Sequence, residues 1–96
     1  MNKKEIKETI NSQLPFLKEK YHIKKIGFFG SVARGDGKRE SDIDIIVEFE
    51  SPIGFFDFVR LENFLGEILQ KKVDLVSKKA LKPAIKERIL KETIYV

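Results

Sequence analysis

One stretch constrains this chain more than any other. Between Asp42 and Glu50 the side chains alternate, with Asp42, Asp44, Ile46 and Glu48 set against Ile43, Ile45, Val47 and Phe49. A period of two is the signature of a β-strand, whose successive side chains point to opposite faces. One face is fit for a core, while the other carries two carboxylates. Such a half-buried strand needs further strands to pair its backbone and helices to cover its apolar side.

The rest of the chain supplies both. Residues 3–20 repeat Ile6, Ile10, Leu14 and Leu17 at helical spacing, with Pro15 marking a bend or restart, so one broken helix is expected there. Residues 25–30, with Ile26, Phe28, Phe29 and a terminal Gly30, read as a short buried strand running into a loop. From Ser31 to Ser41 a single helical turn over 32–34 precedes a turn region at Gly35 and Gly37. After Pro52 and Gly54, residues 55–69 place Phe58, Leu61, Leu65 and Ile68 three and four apart, which makes an amphipathic helix. Residues 72–77 form a third strand around Val73, Asp74, Leu75 and Val76. Pro83 opens a final helix with Ile85, Ile89 and Leu90 facing inward, ending near the 94–96 tail. The expectation is one domain over 1–96, of α/β (α+β) class: a small mixed sheet of three to four strands with helices packed on one face.

Composition narrows the function. A hydrophobic fraction of 42% with eight Phe and two Tyr supports a packed core. With no Cys and one His, thiolate sites, disulfides and imidazole clusters drop out, leaving carboxylates as the available metal ligands. No run of about 18 apolar residues occurs, and the charged opening MNKKEIKETI does not read as a signal peptide, so a cytoplasmic protein with no membrane contact is expected. A net charge of +4 permits an anionic partner, but charged residues at 35% and of interspersed sign describe a solvated surface rather than a nucleic-acid groove. His22 reads as a surface or helix-end residue. Phe55, Phe56, Phe58 and Phe64 read as core, although a Phe-Phe pair cannot be wholly buried on one helical face. The lysines and Arg88 between 78 and 91 read as solvated, or as contacts to nucleotide phosphate or an acidic partner.

Chemistry concentrates in two segments. Asp42 and Asp44, at i and i+2 of a strand, lie roughly 7 Å apart on one face and can share metal ions. Two Mg²⁺ ions about 4 Å apart suit displacement at phosphorus, since both attacking and leaving oxygens are stabilised. Asp74, flanked by apolar strand residues, is the candidate third carboxylate, as metal ligand or as general base. Upstream, Gly30 and Ser31 end a strand where backbone N–H groups and a hydroxyl can meet phosphate, with Arg34 adding charge. Alone, a D-x-D strand reads as charge on a solvent-facing edge, and Gly-Ser as a plain turn. In fixed order, G-S-x-A-R-G followed by S-D-I-D favours a site.

The stretch GFFGSVARGDGKRESDIDIIVEF strongly resembles the minimal nucleotidyltransferase (MNT) domains of the DNA polymerase β-like superfamily, and KKVDLVS supplies the third acidic position. The leading helix, the helix after Pro52 and the closing ALKPAIKERILKETIYV also look like that family, so the resemblance covers nearly the whole chain. It implies Gly30 and Ser31 at the triphosphate, Asp42 and Asp44 on Mg²⁺, and Asp74 as third ligand or base, with ATP as substrate. It also implies a partner, because members of this family often act as antitoxins of helical HEPN-type toxins and some adenylylate a toxin tyrosine. The expected assembly is then a hetero-oligomer. Inhibition by occlusion alone and transfer to a small hydroxylated molecule are the alternatives, and nucleic acid is not expected as a direct substrate.

Overall fold

The structure, a computed structural model, describes residues 1–36 and 42–96. The expected turn at Gly37 therefore lies outside the described residues. In chain order the elements are α1 (Lys3–Ser12), α2 (Leu14–Tyr21), β1 (Ile23–Phe29), α3 (Gly30–Arg34), β2 (Ile43–Phe49), α4 (Phe55–Leu69), β3 (Val73–Ser77), α5 (Pro83–Glu92) and β4 (Ile94–Tyr95), with a short 3-10 turn at Lys78–Ala80.

Local chemistry explains the boundaries. Asn2 and Glu5 close a capping box on α1: the Glu5 N–H donates to Asn2 Oδ1 at 2.9 Å and the Asn2 N–H to Glu5 Oε1 at 3.1 Å. Pro15 restarts the helix in the first turn of α2, where its missing N–H costs no intrahelical bond. His22 ends α2 in the left-handed region at φ 56°, a helix-end role as expected from its sequence position.

The strands form one mixed sheet in the order β3-β2-β1-β4. β1 runs antiparallel to β2 and β4, and β2 runs parallel to β3. Across one face the register aligns Phe28 with Ile45 and Ile45 with Leu75, and beside them Ile43 with Val73. These residues join Ile6 and Ile10 of α1, Leu17 and Tyr21 of α2, and Leu61, Leu65 and Leu69 of α4 in a single apolar cluster. Burial at such positions is worth about 1.5–3 kcal/mol per large side chain, which fixes the strand register. The other face of β2 and β3 therefore presents Asp44, Glu48 and Asp74, together with a paired apolar couple, Ile46 at 3% exposure and the partly buried Val76.

Three sequence expectations need correction or completion. Phe55 and Phe56 are 73% and 74% exposed, because they lie off the α4 stripe that runs through Leu61, Leu65 and Leu69. Ile85 is exposed as well. It falls in the first turn of α5, where residues 82–85 all face solvent, while Ile89 one turn later is buried. The tail beyond α5 is a strand: Gly27 pairs with Tyr95, Phe28 with Ile94, and the Val96 N–H donates to the Ile26 carbonyl at 3.0 Å.

Gly27 is what lets this closing strand dock. A Cβ at position 27 would stand 2.7 Å from Thr93 Cγ2 and 2.8 Å from the Ile94 carbonyl oxygen, closer than real contacts allow. Gly27→Ala should accordingly destabilise the protein by about 1–3 kcal/mol, the usual cost of forcing a methyl into a packed contact. Chemical denaturation would measure it, and an unchanged midpoint would mean that β4 yields freely.

Candidate active site

Sheet register brings the acidic residues together. Asp44 on β2 is flanked by Phe29 of β1 and by Asp74 of β3 at paired positions, so the two carboxylates leave the same face on neighbouring strands. Asp42 lies two residues before Asp44, at the point where the Ile43 N–H donates to the Lys72 carbonyl at 3.0 Å and the β2–β3 pairing begins. Lys72 Nζ stands 4.0 Å from Asp42 Oδ2, an exposed pair worth well under about 1 kcal/mol. Asp42 and Asp74 are exposed and Asp44 is half-buried.

Gly30 forms the wall behind Asp44. Its φ of 78° lies in the left-handed region that glycine tolerates, and a side-chain carbon there would overlap Asp44 Oδ2. Both the conformation and the space thus demand glycine. The chain then turns through α3 and ends it at Gly35, φ 84°, with the Asp36 N–H donating to the Ser31 carbonyl at 3.0 Å. This turn carries the half-buried Ser31 and the exposed Arg34, both within α3.

Arg34 is engaged within the chain. Its Nε donates to Asp36 Oδ2 at 3.4 Å, and its NH1 lies 3.4 and 3.3 Å from the two carboxylate oxygens of Glu92 at the end of α5. Glu92 Oε1 also accepts the Gly30 backbone N–H at 3.1 Å. Sequence reading missed Glu92. It sits in a charge-rich helix with no distinguishing spacing, and its contact to Gly30 spans 62 residues.

The electrostatics follow from this crowding. Partial burial pushes the Asp44 carboxyl above its ordinary range, the neighbouring Asp74 and Asp42 push it further, and Arg34 works against them. Hard oxygen donors of this kind match what Mg²⁺ accepts, and added positive charge would relieve the repulsion that raises Asp44. Among the described residues no three such side chains are gathered closely enough to hold an ion as they stand. The carboxylates of Asp42, Asp44 and Asp74 share a neighbourhood rather than a finished coordination sphere.

A carboxyl raised on folding loses stability as pH climbs from its unfolded value through its folded value, because the unfolded chain ionises first. Asp44→Asn, measured in EDTA, should therefore raise the melting temperature at neutral pH. The gain should shrink as pH falls below the ordinary carboxylate range, where Asp44 is itself neutral. A variant less stable than the parent at neutral pH would contradict this reading of the charge cluster.

Comparison with known proteins identifies the family. Residues 10–96 match the nucleotidyltransferase domain family. Protein adenylyltransferase MntA of Thermococcus cleftensis is 39% identical over 92 residues, an alignment covering 96% of this chain and 93% of that protein. A solved structure described as a "putative minimal nucleotidyltransferase" superposes with a TM-score of 0.83 at 32% identity, covering 98% of this chain and 95% of the other. The fold is also that of a Shewanella oneidensis MNT antitoxin complex with a tri-AMPylated HEPN toxin, at TM-score 0.68 and 20% identity, over 94% of this chain and 70% of the other. With the Gly-Ser turn, the acidic strand and a match spanning nearly its whole length, the chain belongs to the nucleotidyltransferase domain family and is a nucleotidyltransferase of the minimal type.

Proposed function

We propose that this nucleotidyltransferase is an Mg²⁺-dependent protein adenylyltransferase that transfers AMP from ATP to a tyrosine hydroxyl of a HEPN-type toxin and thereby acts as its antitoxin. The observation that carries the chemistry is the pairing of Asp44 with Asp74 beside the Gly30 turn. The choice of acceptor rests on the adenylyltransferase relative at 39% identity and on the fold shared with the toxin–antitoxin complex.

In this reading the turn at Gly30 and Ser31 takes the triphosphate, with Arg34 adding charge. Asp42, Asp44 and Asp74 would hold Mg²⁺, which supplies charge neutralisation for the triphosphate and acidity for the attacking hydroxyl. The acceptor oxygen attacks the α-phosphorus, a new P–O bond forms, and the bond to pyrophosphate breaks. The hydroxyl proton passes to Asp74, the most exposed carboxylate of the paired strands and the one on the outer strand, where an acceptor can approach. Asp44, half-buried between Phe29 and Asp74, keeps its place on the nucleotide side. The acceptor hydroxyl comes from the partner, in a hetero-oligomer of the two proteins.

Separate roles give separable defects. Asp44→Asn should weaken Mg·ATP binding and transfer together. Asp74→Asn should bind Mg·ATP within a few-fold of the parent yet transfer about 10²–10⁴ times more slowly, the range for loss of a general base. Calorimetry gives the affinities, and mass spectrometry of the HEPN partner after incubation with ATP and Mg²⁺ gives transfer as the gain of AMP units. Wild-type transfer by Asp74→Asn would remove Asp74 from the chemistry. Full toxin inhibition without any mass gain would replace adenylylation by occlusion.

A further inference from the structure

The two groups expected to meet phosphate from opposite ends of α3, the Gly30 N–H and the Arg34 guanidinium, are both held by one carboxylate. Glu92 Oε1 accepts from Gly30 at 3.1 Å and from Arg34 NH1 at 3.4 Å, while Oε2 lies 3.3 Å from the same NH1. A carboxylate that bridges a backbone N–H and a guanidinium makes the contacts that an anionic phosphate oxygen makes. We infer that Glu92 is a positioning residue that occupies part of the triphosphate subsite and is displaced from it by nucleotide. The inference rests on the nucleotide reading of the Gly30 turn given above.

The location of Glu92 fits such a role. It is the last residue of α5, and the next residues are pinned: the Thr93 hydroxyl donates to the Ile89 carbonyl at 2.7 Å, and Ile94–Tyr95 pairs with β1 through the Gly27 contact. The backbone of Glu92 is fixed by these neighbours, so its carboxylate is aimed at Gly30 by the fold and moves by side-chain rotation alone. Its side chain is 24% exposed against 50% for Arg34, which leaves the arginine the freer partner to swing onto a phosphate. Glu92 also adds its charge to the acidic neighbourhood of Asp44. A triphosphate entering there meets a like charge that competes for its donors, so the carboxylate sets the affinity of the resting site and keeps Arg34 ordered until nucleotide arrives.

The sign of one substitution tests this. Glu92→Gln keeps the shape and can still accept the Gly30 N–H, but it removes the competing charge. Mg·ATP and magnesium tripolyphosphate should both bind about two- to fivefold more tightly, the range of a partly exposed ion pair, as read by calorimetry. A residue that merely ties α5 to α3 would lower the melting temperature and leave affinity unchanged or weaker. If the parent binds Mg·ATP and Glu92→Gln binds no more tightly, the displacement is wrong and the site stands. If the parent does not bind Mg·ATP at all, the nucleotide reading fails and this inference fails with it. A second measurement needs no variant: in the parent chain the Glu92 side-chain carboxyl ¹³C resonance should shift on saturation with Mg·ATP, and an unmoved resonance would overturn displacement.

Discussion

A carboxylate and a backbone turn come into contact in this protein because no side chain stands between them. Gly30 sits at positive φ directly against the Asp44 carboxylate, and any other residue would carry a carbon into that oxygen. This contact joins the two halves of the site, the turn that follows β1 and the acidic face of β2. Everything else in the fold serves to hold the pair in register. Antiparallel pairing sets Phe29 opposite Asp44, parallel pairing sets Asp74 on its other side, and the apolar face beneath prevents a one-residue slip.

That arrangement has a cost which the core offsets. Three carboxylates in one neighbourhood repel, and partial burial of Asp44 adds to the penalty. The stabilising side is the cluster of Ile, Leu and Phe from both the sheet and helices α1, α2 and α4, with Phe28 and Leu65 fully buried. Sites whose groups are arranged for charge chemistry commonly sit at a loss of stability, and here the loss is confined to the face opposite the core. The closing helix then adds Glu92, which ties the turn at Gly30 to the end of α5.

Much of this was legible before any coordinates, for physical reasons that differ by element. The 42–50 alternation names a strand and both of its faces, because side-chain period is a local property of the backbone. The helix over 55–69 announces itself through Leu61 and Leu65 at spacing four, and the structure places α4 at Phe55–Leu69. The fate of Phe55 and Phe56 was harder to read, since hydrophobicity does not say which side of a helix another element will cover. β4 has two residues and no period to detect, and only the absent side chain of Gly27, 66 positions earlier than Thr93, makes room for it. Glu92 was invisible for the same reason: its partners are distant in sequence, and a glutamate in a lysine-rich helix looks like any solvated charge. The placement of Asp44 and Asp74 on one face of the sheet was readable, whereas the engagement of Arg34 by Glu92 and Asp36 was not.

The proposed function requires divalent metal and nucleotide to be held together on the Asp44 face of the sheet, against the Gly30 turn. Paramagnetic broadening of a ¹⁵N-labelled chain by substoichiometric Mn²⁺, with ATP present, locates such an ion directly. Selective loss of the amide signals of Ile43, Asp44, Asp74, Gly30 and Ser31 is expected, with those of Ile6, Ile10 and Leu65 on the far side of the core retained. Broadening centred on the α4 carboxylates Glu62 and Glu67, or spread over the surface without preference for β2 and β3, would contradict it.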